Sequence, residues 1–184
     1  MPSETQRMAG SAIAVCVSNR KGNKHTMSKK VLRIIPLGGL GEVGKNMTVF
    51  EYGDDAIIID AGIMFPENDM LGIDFIIPDY KYLVENRHRL KIHALLVTHG
   101  HEDHTGAIPY LLKDVPAPVY ATALTCGLVR IKLKDAGLKE HPVHVFKAGE
   151  TLKFGPFTIE SFHVTHSIPD CVGFGIRTPI GMVI

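Results

Sequence analysis

The chain contains no tryptophan, 7% aromatic residues and three cysteines in 184 residues. Cys16, Cys126 and Cys171 are odd in number and widely spaced, with no C-x-x-C pair. That usage argues against a disulfide framework and a thiolate zinc site, and it suits a reducing, cytoplasmic compartment. No apolar run approaches the ~18 residues of a spanning helix, so no membrane partner is expected. Surplus positive charge is also lacking. Residues 1–30 hold six Lys/Arg and one acid, which leaves 14 basic and 18 acidic residues over 31–184, a net of −4. This is not the electrostatic footprint of a nucleic-acid binder. What the chain does have is apolar content, 45% with a mean hydropathy of +0.11, enough for a packed core. Its length admits one domain.

The densest chemistry lies in His99-Gly100-His101-Glu102-Asp103-His104, with three histidines and an aspartate in six residues. Ala94 to Val97 before it reads as a buried strand, and Thr105 to Leu112 after it reads as a helix. Polar side chains on the loop leaving a strand and entering a helix suit an α/β active site. His99 and His101, two apart in an extended loop, can aim at one point. Asp103 and His104, where the chain curls into the helix, can face a second. Neutral imidazole with carboxylate suits zinc or manganese, and no cysteine is near. Two ions roughly 3.5–4 Å apart would suit an in-line displacement. A polar loop that merely caps the helix is the simpler alternative, and four ligand-type residues in six weigh against it.

Around this stretch the chain divides as follows. Residues 1–30 read as a disordered basic leader. Ala9 to Val17 is too poorly flanked for a signal peptide, because the basic residues mostly follow it. Val31 to Pro36 reads as the first strand. Gly39-Leu40-Gly41-Glu42-Val43-Gly44 fits the dinucleotide pattern G-x-G-x-x-G, with Asp60 about twenty residues on. That motif needs a helix after it. Asn46 to Tyr52 instead alternates with β-branched and aromatic residues, which predicts a strand and makes the glycines a turn. Ala56 to Ile59 is the next strand. Pro78 to Leu90 reads as a helix with Tyr82, Leu83 and Leu90 inward. Pro118 to Ala121 reads as a strand. Thr122 to Ala136 reads as an amphipathic helix with Leu124, Leu128, Ile131 and Leu133 on or near its apolar stripe. Val143 to Phe146 and Phe157 to Val164 read as strands. His88, His93, His141, His144 and His163 show no partner pattern and are expected to be structural.

His99-x-His101-x-Asp103-His104 resembles the HxHxDH signature of the metallo-β-lactamase superfamily. Ile35 to Asn46, Asp60 to Glu67, Gly72 to Asp79, Thr98 to Leu112 and His166-Ser167-Ile168-Pro169-Asp170 are closer still to the ribonuclease J family within the β-CASP group. The resemblance covers about Val31 to Ile184. It implies the first half of an αββα sandwich, an α/β fold of two sheets flanked by helices. Asp60 would orient metal-site histidines, with a catalytic role shared by Asp103. His166 would join His99 and His101 on one metal, and Asp103 with His104 would hold another. Two divalent ions follow, zinc first and manganese second, with an accessory calcium at Asp74. The implied function is hydrolysis of RNA phosphodiesters, both 5′-to-3′ exonucleolytic and endonucleolytic, in RNA maturation and decay. RNA is the implied partner, and the full-length form would be a homo-oligomer.

The family's next motif, a bridging aspartate, and its β-CASP and C-terminal domains lie outside this sequence. Residues 31–184 are therefore expected to be an incomplete domain with little or no activity alone. Two other readings stay open: a superfamily hydrolase of thioesters or lactams, and a catalytically incomplete metal-binding chain.

Overall fold

The structure, a computed structural model, describes residues 30–67 and 70–184 and the backbone of two short strands, β1 (Thr5–Arg7) and β2 (Ile13–Val17). Among the described residues, strands β3 (Leu32–Gly38), β4 (Met47–Tyr52), β5 (Asp55–Ile59), β6 (Lys91–Leu96), β7 (Val119–Ala121) and β8 (Val143–Val145) continue one sheet in chain order from β1 and β2. A second sheet has the order β12 (Gly181–Val183), β11 (Val172–Thr178), β10 (Phe157–His163), β9 (Thr151–Phe154). The leader expected over residues 1–30 falls largely outside the described residues.

Pairing is antiparallel from β1 to β5 and parallel from β5 to β8. Each parallel step needs a long crossover, and each crossover carries helix: α1 (Lys81–Asn86), then α2 (Glu102–Thr105) and α3 (Ile108–Asp114), then α4 (Ala123–Asp135). Crossovers of one hand stepping one way along a sheet put their helices on one face. The core agrees. Leu83, Ile108, Leu111, Cys126, Val129 and Leu133 from the helices pack with Val49, Ile58 and Leu95 from the strands and with Val97 just after β6.

Period-two alternation sends the neighbouring strand residues the other way. Phe50, Ile57, Ala94 and Leu96 face the second sheet and meet Phe157, Ile159, Val172 and Phe174. Strands β5 and β6 are thus buried on both faces, which is why they read as continuous apolar runs. Ile57, Ile58, Leu95 and Leu96 are each fully buried, and burial of such a side chain contributes about 1.5–3 kcal/mol. The described layers are helix, sheet and sheet.

Gly39 to Gly44 forms the turn between β3 and β4, with positive φ at Gly39, Gly41 and Gly44, so the dinucleotide pattern is a decoy. Three expectations need correction. The helix expected over Pro78–Leu90 is only the six residues of α1. The helix expected over Thr105–Leu112 is interrupted: α2 ends at Thr105 and α3 starts at Ile108. Pro109 lacks an N–H and is tolerated only in a first turn, so the chain restarts there. The Ala107 N–H turns aside to Ala61 O at 2.9 Å. In α4 the buried residues are Thr125, Cys126, Val129 and Leu133, while Leu124 and Ile131 are exposed. The stripe through 124, 128 and 131 has helical spacing too. The smaller Thr125 and Cys126 are what fit against the sheet, where the Cys126 thiol donates to Ala121 O and His144 O. Strands β9 and β11 have no counterpart among the expected elements.

Candidate metal centre

The loops leaving β5 and β6 meet at one end of the two sheets. Asp60 follows β5 directly with φ 59°, a left-handed conformation that aspartate tolerates better than most residues. Its N–H donates to Leu96 O at 2.9 Å. The turn brings the carboxylate to the loop that follows β6. Oδ1 accepts the Thr98 N–H at 2.8 Å, and Oδ2 accepts the Thr98 hydroxyl at 2.8 Å and His104 Nδ1 at 2.7 Å.

These bonds decide tautomers. A carboxylate only accepts, so His104 carries its proton on Nδ1, and in the neutral ring Nε2 keeps its lone pair. The single proton of the Thr98 hydroxyl goes to Asp60. Toward His99 Nδ1, 3.0 Å away, the hydroxyl must accept, which leaves His99 Nε2 free as well. Asp60 therefore holds His104 directly and His99 through Thr98. Carboxylate–histidine relays of this kind orient metal ligands.

His99 Nε2 lies 3.1 Å from His101 Nδ1, and His166 Nε2 lies 3.2 Å from the same His101 nitrogen. Each of the three histidines offers one such atom, and all three atoms fall within 4.8 Å of one another. Three ring nitrogens turned on one another are poorly satisfied by each other's protons. A shared cation satisfies them all, since tetrahedral bonds of ~2.0–2.1 Å set donor atoms roughly 3.3–3.4 Å apart. Burial pushes His99 down to about 4, helped by the neighbouring charge of His104, His101 and His166 and opposed by Asp60. The ring is neutral at neutral pH, the form that ligates. The donor set fits a divalent metal.

Asp103 and His104 face a second point. Asp103 Oδ2 is 3.4 Å from His104 Nε2. Asn46 donates from Nδ2 to Asp103 O and Oδ2, both at 3.1 Å, and lies 3.2 Å from His104 Nε2. Burial works to lower His104, but the Asp60 hydrogen bond and charge, with the Asp103 charge, outweigh it and raise it above its ordinary value. The rings of His99 and His104 are 4.1 Å apart, so the two points adjoin. A cavity of about 240 Å³ opens on the Asp60 and His104 side, toward Gly39, Leu40 and Met47.

Backbone contacts hold α2 against its neighbours. The carbonyls of Glu102, Asp103 and His104 accept N–H groups of Ile63, Asn46 and Ala61 at 3.0, 3.0 and 2.9 Å. Gly62 permits this approach: a Cβ there would lie 1.5 Å from Asp103 O.

The five expected ligand residues, His99, His101, Asp103, His104 and His166, thus come together, and Asp60 stands behind two of them. Asp74 is exposed and is not among the clustered ligand residues. His93 pairs with Asp55 at 2.7 Å at the far end of β6, His141 contacts Ala117 O at 2.7 Å, and His144 stacks on Tyr120. His88 and His163 are exposed. Sequence reasoning gave no role to Thr98 and Asn46. The only signal for Thr98 was a hydroxyl residue directly before His99.

Comparison with known proteins agrees with this geometry. The family model of the metallo-β-lactamase superfamily matches residues 40–176. Ribonuclease J 1 of Streptococcus pyogenes serotype M3 is 50% identical over 152 residues, covering 82% of this chain and 27% of that protein. Ribonuclease J of Thermus thermophilus is 45% identical over 161 residues, covering 83% and 28%. The chain therefore spans little more than a quarter of the length of these curated relatives. Among solved structures, a protein of unknown function from Enterococcus faecalis V583 matches with TM-score 0.62 at 18% identity, covering 83% of this chain and 42% of that one. A B3 metallo-β-lactamase with an active-site glutamic acid matches with TM-score 0.53 at 20% identity, covering 79% and 54%. The fold, the histidine cluster at its sheet ends and a family match over residues 40–176 agree: the chain belongs to the metallo-β-lactamase superfamily.

Proposed function

We propose that this chain carries the metal centre of a ribonuclease that hydrolyses RNA phosphodiester bonds. The observation that carries the reading is the convergence of His99, His101 and His166 beside Asp103 and His104. The 42–50% identity to proteins named ribonuclease J supports RNA over a thioester or lactam. His99, His101 and His166 would hold one divalent ion, with Asp103 and His104 on a second; zinc suits the donors best and manganese next. Bound there, the ions supply Lewis acidity and neutralise charge on the phosphoryl oxygens. Asp60 keeps His99 and His104 in their ligating tautomers through Thr98 and its own carboxylate. Asn46 steadies Asp103.

Among the described residues only Asp103 and His104 face the second point, fewer than the three protein ligands of a typical catalytic ion. Residues 31–184 carry a net −4, which attracts phosphates weakly. The 184-residue chain alone is therefore expected to act slowly. The test is degradation of 5′-monophosphorylated RNA against a thioester, with added Zn²⁺ or Mn²⁺ and a His101→Ala control. Slow, metal-dependent RNA cleavage that disappears in the control is the expected result. Thioester hydrolysis with RNA untouched, or RNA cleavage that survives His101→Ala, would overturn the reading.

A further inference from the structure

His166 differs from the histidines it meets. His99 and His104 are oriented through Nδ1 by Thr98 and Asp60. The hydrogen bonds of His166 among the described residues include only the approach of Nε2 to His101. It is exposed, and it comes from the second sheet, on the loop between β10 and β11. Its ring meets the rings of His99 and His101 edge to face, and among the described residues no carboxylate or hydroxyl orients it, so its aim follows the path of its own backbone.

That path is fastened at three places. Val164 N–H donates to Cys171 O at 3.0 Å and closes the loop. Val172 N–H donates to Thr98 O at 3.0 Å and ties β11 to the residue before His99. The third fastening is Asp170, at φ 60°. Its carbonyl accepts the Thr122 hydroxyl at 2.9 Å, and its Oδ2 accepts the Leu124 N–H at 3.3 Å. Thr122 is the N-cap of α4 and Leu124 lies in its first turn, where a carboxylate satisfies an otherwise unpaired N–H and suits the helix dipole. Helix α4 in turn packs on the loop of the metal cluster: Leu128 and Ile168 both close over Gly100, where a Cβ would lie 2.4 Å from Leu128 Cδ1 and 3.3 Å from Ile168 Cδ1.

We infer that Asp170 is the positioning residue for His166, latching its loop to α4 so that Nε2 stays within reach of the His99 and His101 nitrogens. The inference rests on the metal-centre reading above. Of the three fastenings only the one at Asp170 uses side chains, so it is the one a substitution can open, whereas His99 and His104 have their own side-chain partners.

The experiment is divalent-ion affinity of the full chain by titration calorimetry, together with the visible spectrum of the cobalt-loaded form, for Asp170→Ala, Asp170→Asn, Thr122→Val and His166→Ala. Asp170→Ala is expected to weaken the tighter site about 10- to 100-fold, as loss of ligand-orienting partners does. Its cobalt spectrum should shift toward that of His166→Ala. Asp170→Asn keeps an acceptor for Leu124 and should retain most of the affinity. Thr122→Val releases the carbonyl of residue 170 and the 3.3 Å contact with Thr125 but leaves the Asp170 carboxylate on Leu124, and should weaken the site in the same direction but less. If Asp170→Ala fails to fold, Thr122→Val carries the test. Affinity and spectrum unchanged in Asp170→Ala, or in Thr122→Val where the former cannot be made, would overturn the inference while His166→Ala still weakens binding. No effect from His166→Ala would overturn the metal-centre reading itself.

Discussion

Two clusters of buried polar groups sit on the larger sheet, and they are built on opposite plans. One surrounds Glu51, a β4 residue with no exposed surface. Its carboxylate accepts Arg89 Nη1 at 2.9 Å and hydrogen bonds from Arg33 and Tyr82, while Arg89 also reaches Asn86. The buried carboxylate is met by two guanidinium groups and a phenol hydroxyl. The other cluster is the strand-end group of Asp60, Thr98 and the histidines. There the carboxylate is satisfied, but ring nitrogens of His99, His101 and His166 point at one another. The first cluster is closed: both oxygens of the buried acid are taken up by donors within the fold. The second is open: its internal bonds serve to leave lone pairs unused. Burial and charge do not separate a structural polar cluster from a binding one, because both contain a buried acid. The direction of the leftover valences does.

The contrast sharpens when each acid is removed. Glu51→Ala leaves Arg89 and Arg33 without their shared counter-ion; both guanidinium groups keep some exposure, so the cost falls below the ~3–5 kcal/mol of a wholly buried pair. Chemical denaturation should show that loss, while the folded protein binds divalent ions as before. Weakened metal affinity at unchanged stability would mean that the two clusters are coupled.

Asp60→Asn should do the reverse. The amide keeps most of the volume but no longer accepts both Thr98 and His104, so the tautomers of His99 and His104 are freed. Metal affinity should fall about 10- to 100-fold, or about 1.4–2.7 kcal/mol, with a smaller change in unfolding free energy. Calorimetric titration beside a denaturation curve measures both. A large stability loss with metal affinity intact would place Asp60 in the closed class with Glu51.

Acidification should separate the clusters more gently. His99 is pushed below its ordinary value to about 4, so the folded state resists a proton that the unfolded chain accepts. The stability it contributes is present above pH 6.5 and is lost as pH falls toward 4. His104 is shifted up, so its contribution is present below 6.5 and fades as pH rises through its folded value; it does not offset the loss from His99 below 6.5. For Glu51, burial works to raise the carboxyl, but hydrogen bonds and charge from Arg89, with Tyr82 and Arg33, hold it below the usual range. Its contribution is present above pH 4.5 and is lost only further down. Metal-free protein should therefore loosen at the strand-end loops before it loosens around Glu51. Hydrogen exchange of the Thr98 and Glu51 amides between about pH 6.5 and 3.5 follows this, and simultaneous loosening would remove the distinction.

The amino-acid sequence alone was enough for whatever depends on near neighbours in the chain. Alternation in Asn46–Tyr52 and the apolar run before Asp60 set β4 and β5, because period two and β-branching are local properties. The failure of a helix after Gly44 exposed the glycine pattern as a turn for the same reason. His99, His101, Asp103 and His104 were legible because two loop ligands and two helix-entry ligands are brought together by six residues of backbone. His166 was reached only through resemblance, since no local rule links it to His104 across 62 residues.

Tertiary structure decided the rest, wherever two local solutions had similar energies. Helix α4 had two apolar stripes, and the sheet accepted the one with the smaller side chains. The stretch after His104 could have run on as one helix, but Pro109 and the Ala61 carbonyl made it restart. The roles of Thr98 and Asn46, the tautomers set by Asp60 and the latch at Asp170 all lie in hydrogen bonds between segments distant in sequence. Such bonds depend on where folded backbones place their donors, and no pattern along the chain records that placement.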